Sequence, residues 1–163
     1  MAKKLKLDIG AGYIRRKGFK RVDIDPKTKP DYLLKAQDLR GINDNSVDEI
    51  MASHILEHIP PNETFLTLRE WWRVLKPNGV ITIKTPDCGW AMRLWKENSH
   101  RQYEILKTFL GDDPSATEYS LHGNIFWDKR IERYLLITGY IEIKNLSEKD
   151  SGELIFVARK PNE

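Results

Sequence analysis

The sequence predicts an α/β fold, a Rossmann-like parallel sheet in a three-layer sandwich that ends in a C-terminal antiparallel β-hairpin. Short β-branched or apolar runs alternate with stretches of helical periodicity, which is typical of a parallel sheet with helices on its faces. The last two runs, Tyr140–Leu146 and Glu153–Arg159, are separated only by residues 147–152. So short a connection requires these two strands to be antiparallel.

Five strands are predicted before the hairpin, each as a short run rich in apolar residues. They are Lys4–Ile9, Phe19–Ile24, Tyr32–Ala36, Val47–Ala52 and Val80–Lys84. The fifth is the clearest, because four successive residues from Val80 to Ile83 are β-branched.

Three helical stretches complete the pattern. Pro61–Leu75 places Phe65, Leu68, Trp72 and Leu75 at helical spacing, with Pro61 suited to a first turn and residues 76–79 to a stop. A second stretch spans Trp90–Leu110, followed by a polar loop over 111–120. The third is Asp128–Ile137, with Asp128 as its N-cap.

The first crossover is unusually short. About ten residues separate Gly10 from the second strand, whereas a parallel crossover takes about a dozen or more. The first crossover helix is therefore expected to be shortened or absent.

Length and composition predict one domain spanning residues 1–163. The chain has 40% hydrophobic and 31% charged residues, as in globular proteins. The N-terminal Met-Ala-Lys-Lys-Leu-Lys lacks the apolar core of a signal peptide, and no apolar run is long enough to span a membrane. Cys88 is the single cysteine, which excludes an internal disulfide. A cytoplasmic location is expected.

The charge is unevenly distributed. Residues 1–40 carry twelve lysines and arginines against five aspartates. Such a basic end is compatible with an anionic partner such as nucleic acid, or with a solvated surface. The solvated surface is favoured, because no aromatic-basic RNA motif accompanies the charge.

Polar and glycine residues follow the first four predicted strands. The strands lead into Asp8-Ile9-Gly10-Ala11-Gly12, Val22-Asp23-Ile24-Asp25, Gln37-Asp38-Leu39 and Ser53-His54. Ligands bind at the carboxyl ends of the strands in open α/β sheets. The third glycine of a dinucleotide fingerprint is replaced by Arg15, so a nucleoside ligand without a pyrophosphate fits better.

These motifs resemble the class I S-adenosylmethionine-dependent methyltransferases, within them a group of small type-11-like members. The resemblance rests on LDIGAG, VDID, DLRGINDNSVDEI, ASHILEHI and EWWRVLKPNGVITIKTPD, which run almost continuously to residue 87. A weaker likeness continues through Leu121-His122-Gly123 to Gly139-Tyr140.

The resemblance implies S-adenosylmethionine as the cofactor and assigns each strand end a part of it. The methionine part would contact Asp8, Gly10, Ala11 and Gly12. The ribose would be held beside Ile24 by Asp23, in preference to Asp25. The adenine amino group would bind Asp38 while the Leu39 backbone recognises the ring. Ser53 and His54 would lie beside the sulfonium. Arg15 or Arg16 would replace the missing helix N-terminus for the carboxylate, or face solvent.

His54-Ile55-Leu56-Glu57-His58 also matches the H-x-x-E-H pattern of zinc metallopeptidases, with His122 or Glu132 available as a further ligand. There the two histidines lie one turn apart on a helix. Here His54 directly follows a strand, and Pro60-Pro61 allows at most one helical turn. The methyltransferase hypothesis is preferred, and no metal is expected.

Methyl transfer needs alignment of donor and acceptor, and a base only when the acceptor loses its proton late. The candidates for a base are His54, His58 and His122, and those for substrate contact are Glu57, Asp87 and Trp90. Trp95 and Phe126 would stack on the substrate or pack in the core.

Residues 86–128 are expected to form the substrate side. The acceptor would be an O or N atom of a small molecule or sugar, with nucleic acid as a weaker alternative. A noncatalytic cofactor-binding or scaffold protein of the same fold is the alternative function.

Overall fold

The structure is a computed structural model that describes residues 4–97, 100–111 and 121–162. These ranges form seven strands and four α-helices. The strands are β1 (Lys6–Ile9), β2 (Lys20–Asp23), β3 (Tyr32–Leu33), β4 (Val47–Ser53), β5 (Leu75–Pro86), β6 (Ile141–Asn145) and β7 (Glu153–Arg159). The helices are α1 (Thr64–Val74), α2 (Cys88–Lys96), α3 (Gln102–Leu110) and α4 (Asp128–Thr138), with 3-10 turns at Pro26–Thr28 and Leu56–His58.

All seven strands belong to one sheet, in the order β3-β2-β1-β4-β5-β7-β6. Strands β1 to β5 pair in parallel, whereas β7 is antiparallel to both β5 and β6. The predicted Rossmann-like sheet and its closing antiparallel hairpin are confirmed. The order changes direction between β1 and β4, which is the position where ligands bind in open α/β sheets.

One face of the sheet carries the main core. Ile50 of β4 lies beside Ile81 of β5 in the register, and both are fully buried. Helices α1 and α4 contact each other and the strands on this side. Trp71 of α1 is fully buried, and its indole N–H donates to the carbonyl of Ala36 at 2.8 Å. Burial of such side chains supplies the main stabilising contribution to folding.

The other face is covered differently. The connections β1–β2, β2–β3 and β3–β4 contain no α-helix, so the first crossover helix is absent as predicted. The irregular segment 10–19 replaces it, with Arg16 paired to Asp8 of β1 and the Lys6 ammonium 5.3 Å from the centre of the Phe19 ring. The predicted three-layer arrangement is therefore helical on the α1–α4 side and irregular over β1.

Two predicted helix starts shift in the structure. Residues 61–63 form a turn in which the Glu63 N–H donates to the Pro60 carbonyl, and α1 begins only at Thr64. Of the apolar residues predicted at helical spacing, Leu68 is buried, Trp72 is partly buried and Phe65 is 37% exposed, whereas Trp71, outside that pattern, is fully buried. The predicted N-cap of α4, Asp128, is instead its first residue and follows Trp127.

The predicted helix Trp90–Leu110 is divided into α2 and α3. Residues 97–101 are all polar or charged, so no apolar side chain there holds a continuous helix against the core. The two helices pack against each other around Trp90, Ala91 and Ile105. The predicted loop over 111–120 lies outside the described residues except for Gly111.

Candidate cofactor and acceptor site

The carboxyl ends of the three central strands lie side by side. Ile9 pairs with Val22 of β2 on one side and with Ala52 of β4 on the other. The register therefore places Gly10, which follows β1, between the strand ends that carry Asp23 and Ser53. The structure thus brings together three of the four stretches that the sequence assigned to a single crevice, those that carry Gly10, Asp23 and Ser53.

The turn after β1 requires glycine at two positions for two different reasons. Gly10 has φ 68°, and a Cβ there would lie 2.7 Å from the side chain of Ile55. Gly12 has φ 52°, yet a Cβ there would meet nothing within 4 Å. Gly10 is thus enclosed by its own chain, whereas Gly12 borders open space that a ligand can occupy.

Asp23 holds the glycine turn in place. Its Oδ2 accepts from the Gly12 N–H at 2.7 Å, and its Oδ1 accepts from the Asp25 N–H at 2.9 Å. Each carboxylate oxygen retains capacity for a further hydrogen bond. Asp25 accepts from the Lys27 N–H and caps the first 3-10 turn, while Ile24 between the two acids is 43% exposed.

Asp8 is buried and paired with Arg16. The Arg16 Nε lies 3.0 Å from the Asp8 Oδ2. Burial raises the pKa of the Asp8 carboxyl, and the Arg16 charge opposes that rise. Arg16 is therefore engaged by the protein, whereas Arg15, the other candidate for the cofactor carboxylate, is exposed.

The contacts predicted for the adenine ring, at Asp38 and Leu39, agree only in part with the structure. Asp38 pairs with the guanidinium of Arg40, a hydrogen bond that lowers the pKa of its carboxyl. Leu39 is fully buried, and its N–H donates to Glu70 Oε1 at 2.8 Å. The N–H that the sequence assigned to ring recognition is therefore already used within the protein, and that assignment needs correction.

His54 follows β4 with φ 53° and lies between two carboxylates. Its Nδ1 is 3.1 Å from Glu57 Oε1, and its Nε2 is 2.9 Å from Glu153 Oε1. The hydrogen bond to Glu57 raises the pKa of the imidazole, and burial opposes that rise. The ring is thus held toward the first residue of β7.

His58 and His122 come together although they are far apart in the sequence. Their ring centroids are 5.1 Å apart in an edge-to-face arrangement. The Nδ1 of His58 is 3.0 Å from the Leu121 carbonyl oxygen, and that of His122 is 3.0 Å from the Thr108 carbonyl oxygen. Burial lowers the pKa of His122.

A cavity of about 500 Å³ opens beside His54. Its walls come from the ends of β4 and β5, the start of β7, helices α2 and α3 and the segment after α3. The lining residues are His54, Pro86, Trp90, Glu104, Lys107, Thr108, His122, Ser151, Gly152 and Glu153.

Of the residues predicted to contact the substrate or stack on it, only some line this cavity. Trp90 lines it, and Arg101 lies over the indole with its Cζ 4.9 Å from the ring centroid. Asp87 instead faces Arg93 at 3.8 Å. Phe126 is buried in the main core and Trp95 is 62% exposed, so neither lines the cavity.

Glu153 and Glu70 take part in the site although neither was predicted from the sequence. Glu153 is the first residue of β7, and it reaches the site because an antiparallel strand brings its amino end to the carboxyl edge of its neighbours. The predicted hairpin contained that signal. Glu70 was not identifiable, because its contact with Leu39 depends on how α1 packs.

Residues 7–83 match the sequence model of a family described as "Methyltransferase domain". This range contains the glycine turn, Asp23, Asp38 and the end of β4. Over these residues the chain carries a methyltransferase domain, and its fold is that of the class I S-adenosylmethionine-dependent methyltransferases. It is an enzyme domain, and S-adenosylmethionine is its cofactor.

Solved structures share the fold of this methyltransferase domain. A SAM-dependent methyltransferase from Methanosarcina mazei has a TM-score of 0.68 and 20% identity, over 100% of this chain and 95% of that one. The Burkholderia thailandensis 1,6-didemethyltoxoflavin-N1-methyltransferase, with 1,6-didemethyltoxoflavin and S-adenosylhomocysteine bound, has a TM-score of 0.61 and 16% identity, over 96% and 71%.

A possible exported protein from Bordetella parapertussis has a TM-score of 0.68 and 14% identity, over 96% of this chain. The chain spans 62% of the length of that protein. No curated protein sequence matches the chain. Within the described ranges, no helix has the length and apolar character needed to cross a membrane.

Proposed function

We propose that this methyltransferase moves a methyl group from S-adenosylmethionine to an O or N atom of a small-molecule or sugar-type acceptor in the cavity beside His54. One observation carries the proposal: the cavity begins at the strand end that adjoins the glycine turn. Ile9 pairs with Ala52, so Gly10 and Ser53 follow side by side, and His54 lines the cavity. A cofactor across the β1 and β4 ends would thus present its methyl group to the cavity.

The proposed cofactor contacts follow the strand ends. Gly12 borders the ligand space, and Asp23 holds the ribose while it fixes the turn. Asp38 is partly exposed beside the adenine position, although it must share its carboxylate with Arg40. Ser53 lies at the end of β4, nearest the sulfonium. Since Leu39 donates to Glu70, the adenine ring is recognised chiefly through its amino group.

The chemistry of the lining favours a polar acceptor. Besides Trp90, the cavity presents His54, Glu104, His122 and Glu153. A volume of about 500 Å³ is in the range of small-molecule sites, and one sugar unit fits within it. The Trp90 indole is 4% exposed beneath the Arg101 guanidinium, so it contributes an apolar part of the wall.

Residues 86–128 are proposed to set acceptor selectivity. Within the described part of this range, α2 contributes Trp90, α3 contributes Thr108, and the segment that follows contributes His122. The start of this range is fastened to the residue before β7, because the Asp87 N–H donates to the Gly152 carbonyl oxygen at 2.9 Å.

Among the groups in the cavity, Glu153 is proposed to orient the acceptor. Its carboxylate lies at the cavity wall and accepts from His54 and Lys84. A hydroxyl or amine of the acceptor can donate to the same carboxylate, which directs a lone pair of that O or N atom toward the methyl group. Alignment of this kind is worth about 7 kcal/mol or more in intramolecular reactions.

The test measures S-adenosylhomocysteine release from S-adenosylmethionine with a panel of monosaccharides, amino sugars and small heterocyclic amines. We expect S-adenosylhomocysteine and methylated product to form in equal amounts with a hydroxyl or amine acceptor. The KM for that acceptor should be higher in Trp90→Ala than in the wild type. Cofactor binding without product from any acceptor would support the noncatalytic alternative. Product formation with an unchanged KM in Trp90→Ala would show that the acceptor does not bind in this cavity.

A further inference from the structure

A cluster of metal-ligand-type side chains reaches the acceptor cavity through one of its members, His122. Glu57, His58 and His122 each offer one metal-ligating atom, and these atoms all lie within 4.8 Å of one another. Glu57 and His58 belong to the 3-10 turn after β4, whereas His122 belongs to the segment that follows α3. The fold thus joins a pair adjacent in sequence with a residue more than sixty positions away.

The two imidazoles are held in the same tautomer. Each Nδ1 faces a backbone carbonyl oxygen at 3.0 Å, that of Leu121 for His58 and that of Thr108 for His122. A carbonyl only accepts, so each Nδ1 carries the proton and donates it. The lone pair of each neutral ring is then on Nε2. Metal-bound histidines are commonly fixed in this way, by a second hydrogen bond from the nitrogen that does not bind the metal.

The Glu57 carboxylate is also oriented by hydrogen bonds within the protein. Glu57 is buried, and its two oxygens face the His54 Nδ1 at 3.1 Å and the Thr85 hydroxyl at 3.0 Å. Each oxygen keeps capacity for one more partner. Hydrogen bonds from a neighbouring imidazole and hydroxyl orient a ligating carboxylate in this way.

The backbone connects the two parts of the cluster. The carbonyl oxygen of Glu57 accepts from the N–H groups of Gly123 and Asn124, each at 3.0 Å. The Asn124 side chain also donates to the Ile59 carbonyl and to Thr64 Oγ1. The segment that carries His122 is therefore fastened directly to the turn that carries the other two residues, which sets their separation without any metal.

We propose that Glu57, His58 and His122 bind a divalent first-row transition metal of the Zn²⁺ type beside the acceptor cavity, which His122 lines. Imidazole and carboxylate are ligands that such ions prefer. Ligand atoms around a tetrahedral ion at zinc distances are about 3.4 Å apart, so modest inward rotation of the two imidazoles completes the site. Three protein ligands leave a coordination position for water or for an oxygen of the acceptor.

This site differs from the zinc site that the H-x-x-E-H string indicated. Both ring nitrogens of His54 face carboxylates, so it supports Glu57 and does not ligate, while His122 takes its place. The proposal therefore revises the expectation that no metal is bound. It goes beyond methyl transfer, since metal binding is measured without cofactor or acceptor.

The experiment uses the full chain, stripped with a chelator and titrated calorimetrically with Zn²⁺ and with Co²⁺. We expect one equivalent of each metal to bind, with visible Co²⁺ absorption of a low-coordinate site. His58→Ala and His122→Ala should each weaken binding at least 10-fold. His100→Ala removes an exposed histidine that belongs to neither the cluster nor the cavity lining, and it should leave the affinity unchanged.

Circular dichroism of each variant establishes that it is folded, and His122→Gln provides a closer replacement if His122→Ala unfolds. Absence of binding to the wild-type protein, or wild-type affinity in a folded His122 variant, would overturn the proposal. A separate titration with S-adenosylmethionine reports the cofactor site. The metal site can therefore fail while the proposed methyl transfer stands, and the reverse also holds.

Discussion

The Nε2 atom of His54 lies 2.9 Å from Oε1 of Glu153, which links the residue after β4 to the first residue of β7 across the end of β5. Both residues line the cavity. Glu153 also lies 3.3 Å from the Lys84 ammonium. Its carboxylate is therefore held between two basic groups at the wall of the acceptor cavity.

Glu153→Gln should impair use of the acceptor while leaving cofactor binding intact. The amide keeps the shape of the side chain but loses the charge, and hydrogen bonds to charged groups contribute about 1.5–3 kcal/mol. We expect kcat/KM for the acceptor to fall roughly 10-fold to 150-fold, as those energies imply. Steady-state kinetics and calorimetry with S-adenosylmethionine provide the measurement.

Glu142→Gln is the matched control, since Glu142 pairs with Arg159 on the neighbouring strand and does not line the cavity. It should retain wild-type kinetics. An equal loss of cofactor affinity in Glu153→Gln would place this residue in the cofactor site instead.

Asp23 and Asp25 should differ in their effect on cofactor affinity. Asp23→Ala removes the proposed ribose contact and also the acceptor of the Gly12 N–H, so we expect a loss of about 1.5–3 kcal/mol of binding free energy. Asp25→Ala removes only the cap of a 3-10 turn and should lose much less. Calorimetric titration with S-adenosylmethionine compares the two, and the opposite ranking would move the ribose contact to Asp25.

Lys160 should stabilise the fold without affecting the site. Its ammonium is buried and donates to Asn45 Oδ1 and to the carbonyl oxygens of Trp72 and Leu75, at 2.7–2.8 Å. Both backbone carbonyls lie at the C-terminal end of α1, where cations are favoured. Lys160→Met should lower the free energy of unfolding by about 2 kcal/mol, because the carbonyls lose a charged donor.

Chemical denaturation measures this effect, with Lys129→Met as a control at an exposed position of α4. S-adenosylmethionine affinity should be unchanged in both variants. A Lys160→Met protein as stable as the wild type would show that burial of the ammonium costs as much as its hydrogen bonds contribute.

The sheet and its ligand-binding edge were predictable because their signals are local. Runs of β-branched residues mark the strands, and the residues that follow parallel strands must meet at one edge. The positions of Gly10, Asp23 and Ser53 follow from that rule. The short connection after Gly12 likewise predicted the missing crossover helix, since no helix fits within it.

Other features depend on packing that no local pattern contains. Trp71 and Trp72 are adjacent in α1, and only the orientation of the helix on the sheet decides that Trp71 is buried. Contact between His58 and His122 requires the backbone link from Glu57 to residues 123 and 124. The engagement of the Leu39 N–H by Glu70 depends on the same placement of α1.

The glycine turn as the cofactor site is tested most directly by calorimetric titration of S-adenosylmethionine into the wild-type protein, Gly12→Val and Gly18→Val. Gly12 and Gly18 both have positive φ and open space where a Cβ would lie, but Gly18 lies just before β2, at the opposite edge of the sheet. The φ of Gly18, 87°, lies further from the left-handed helical region than the 52° of Gly12, so Gly18→Val is at least as strained and controls for backbone strain. We predict one cofactor bound per chain in the wild type and in Gly18→Val, and none in folded Gly12→Val. Wild-type affinity in Gly12→Val would contradict the assignment of the cofactor to this turn.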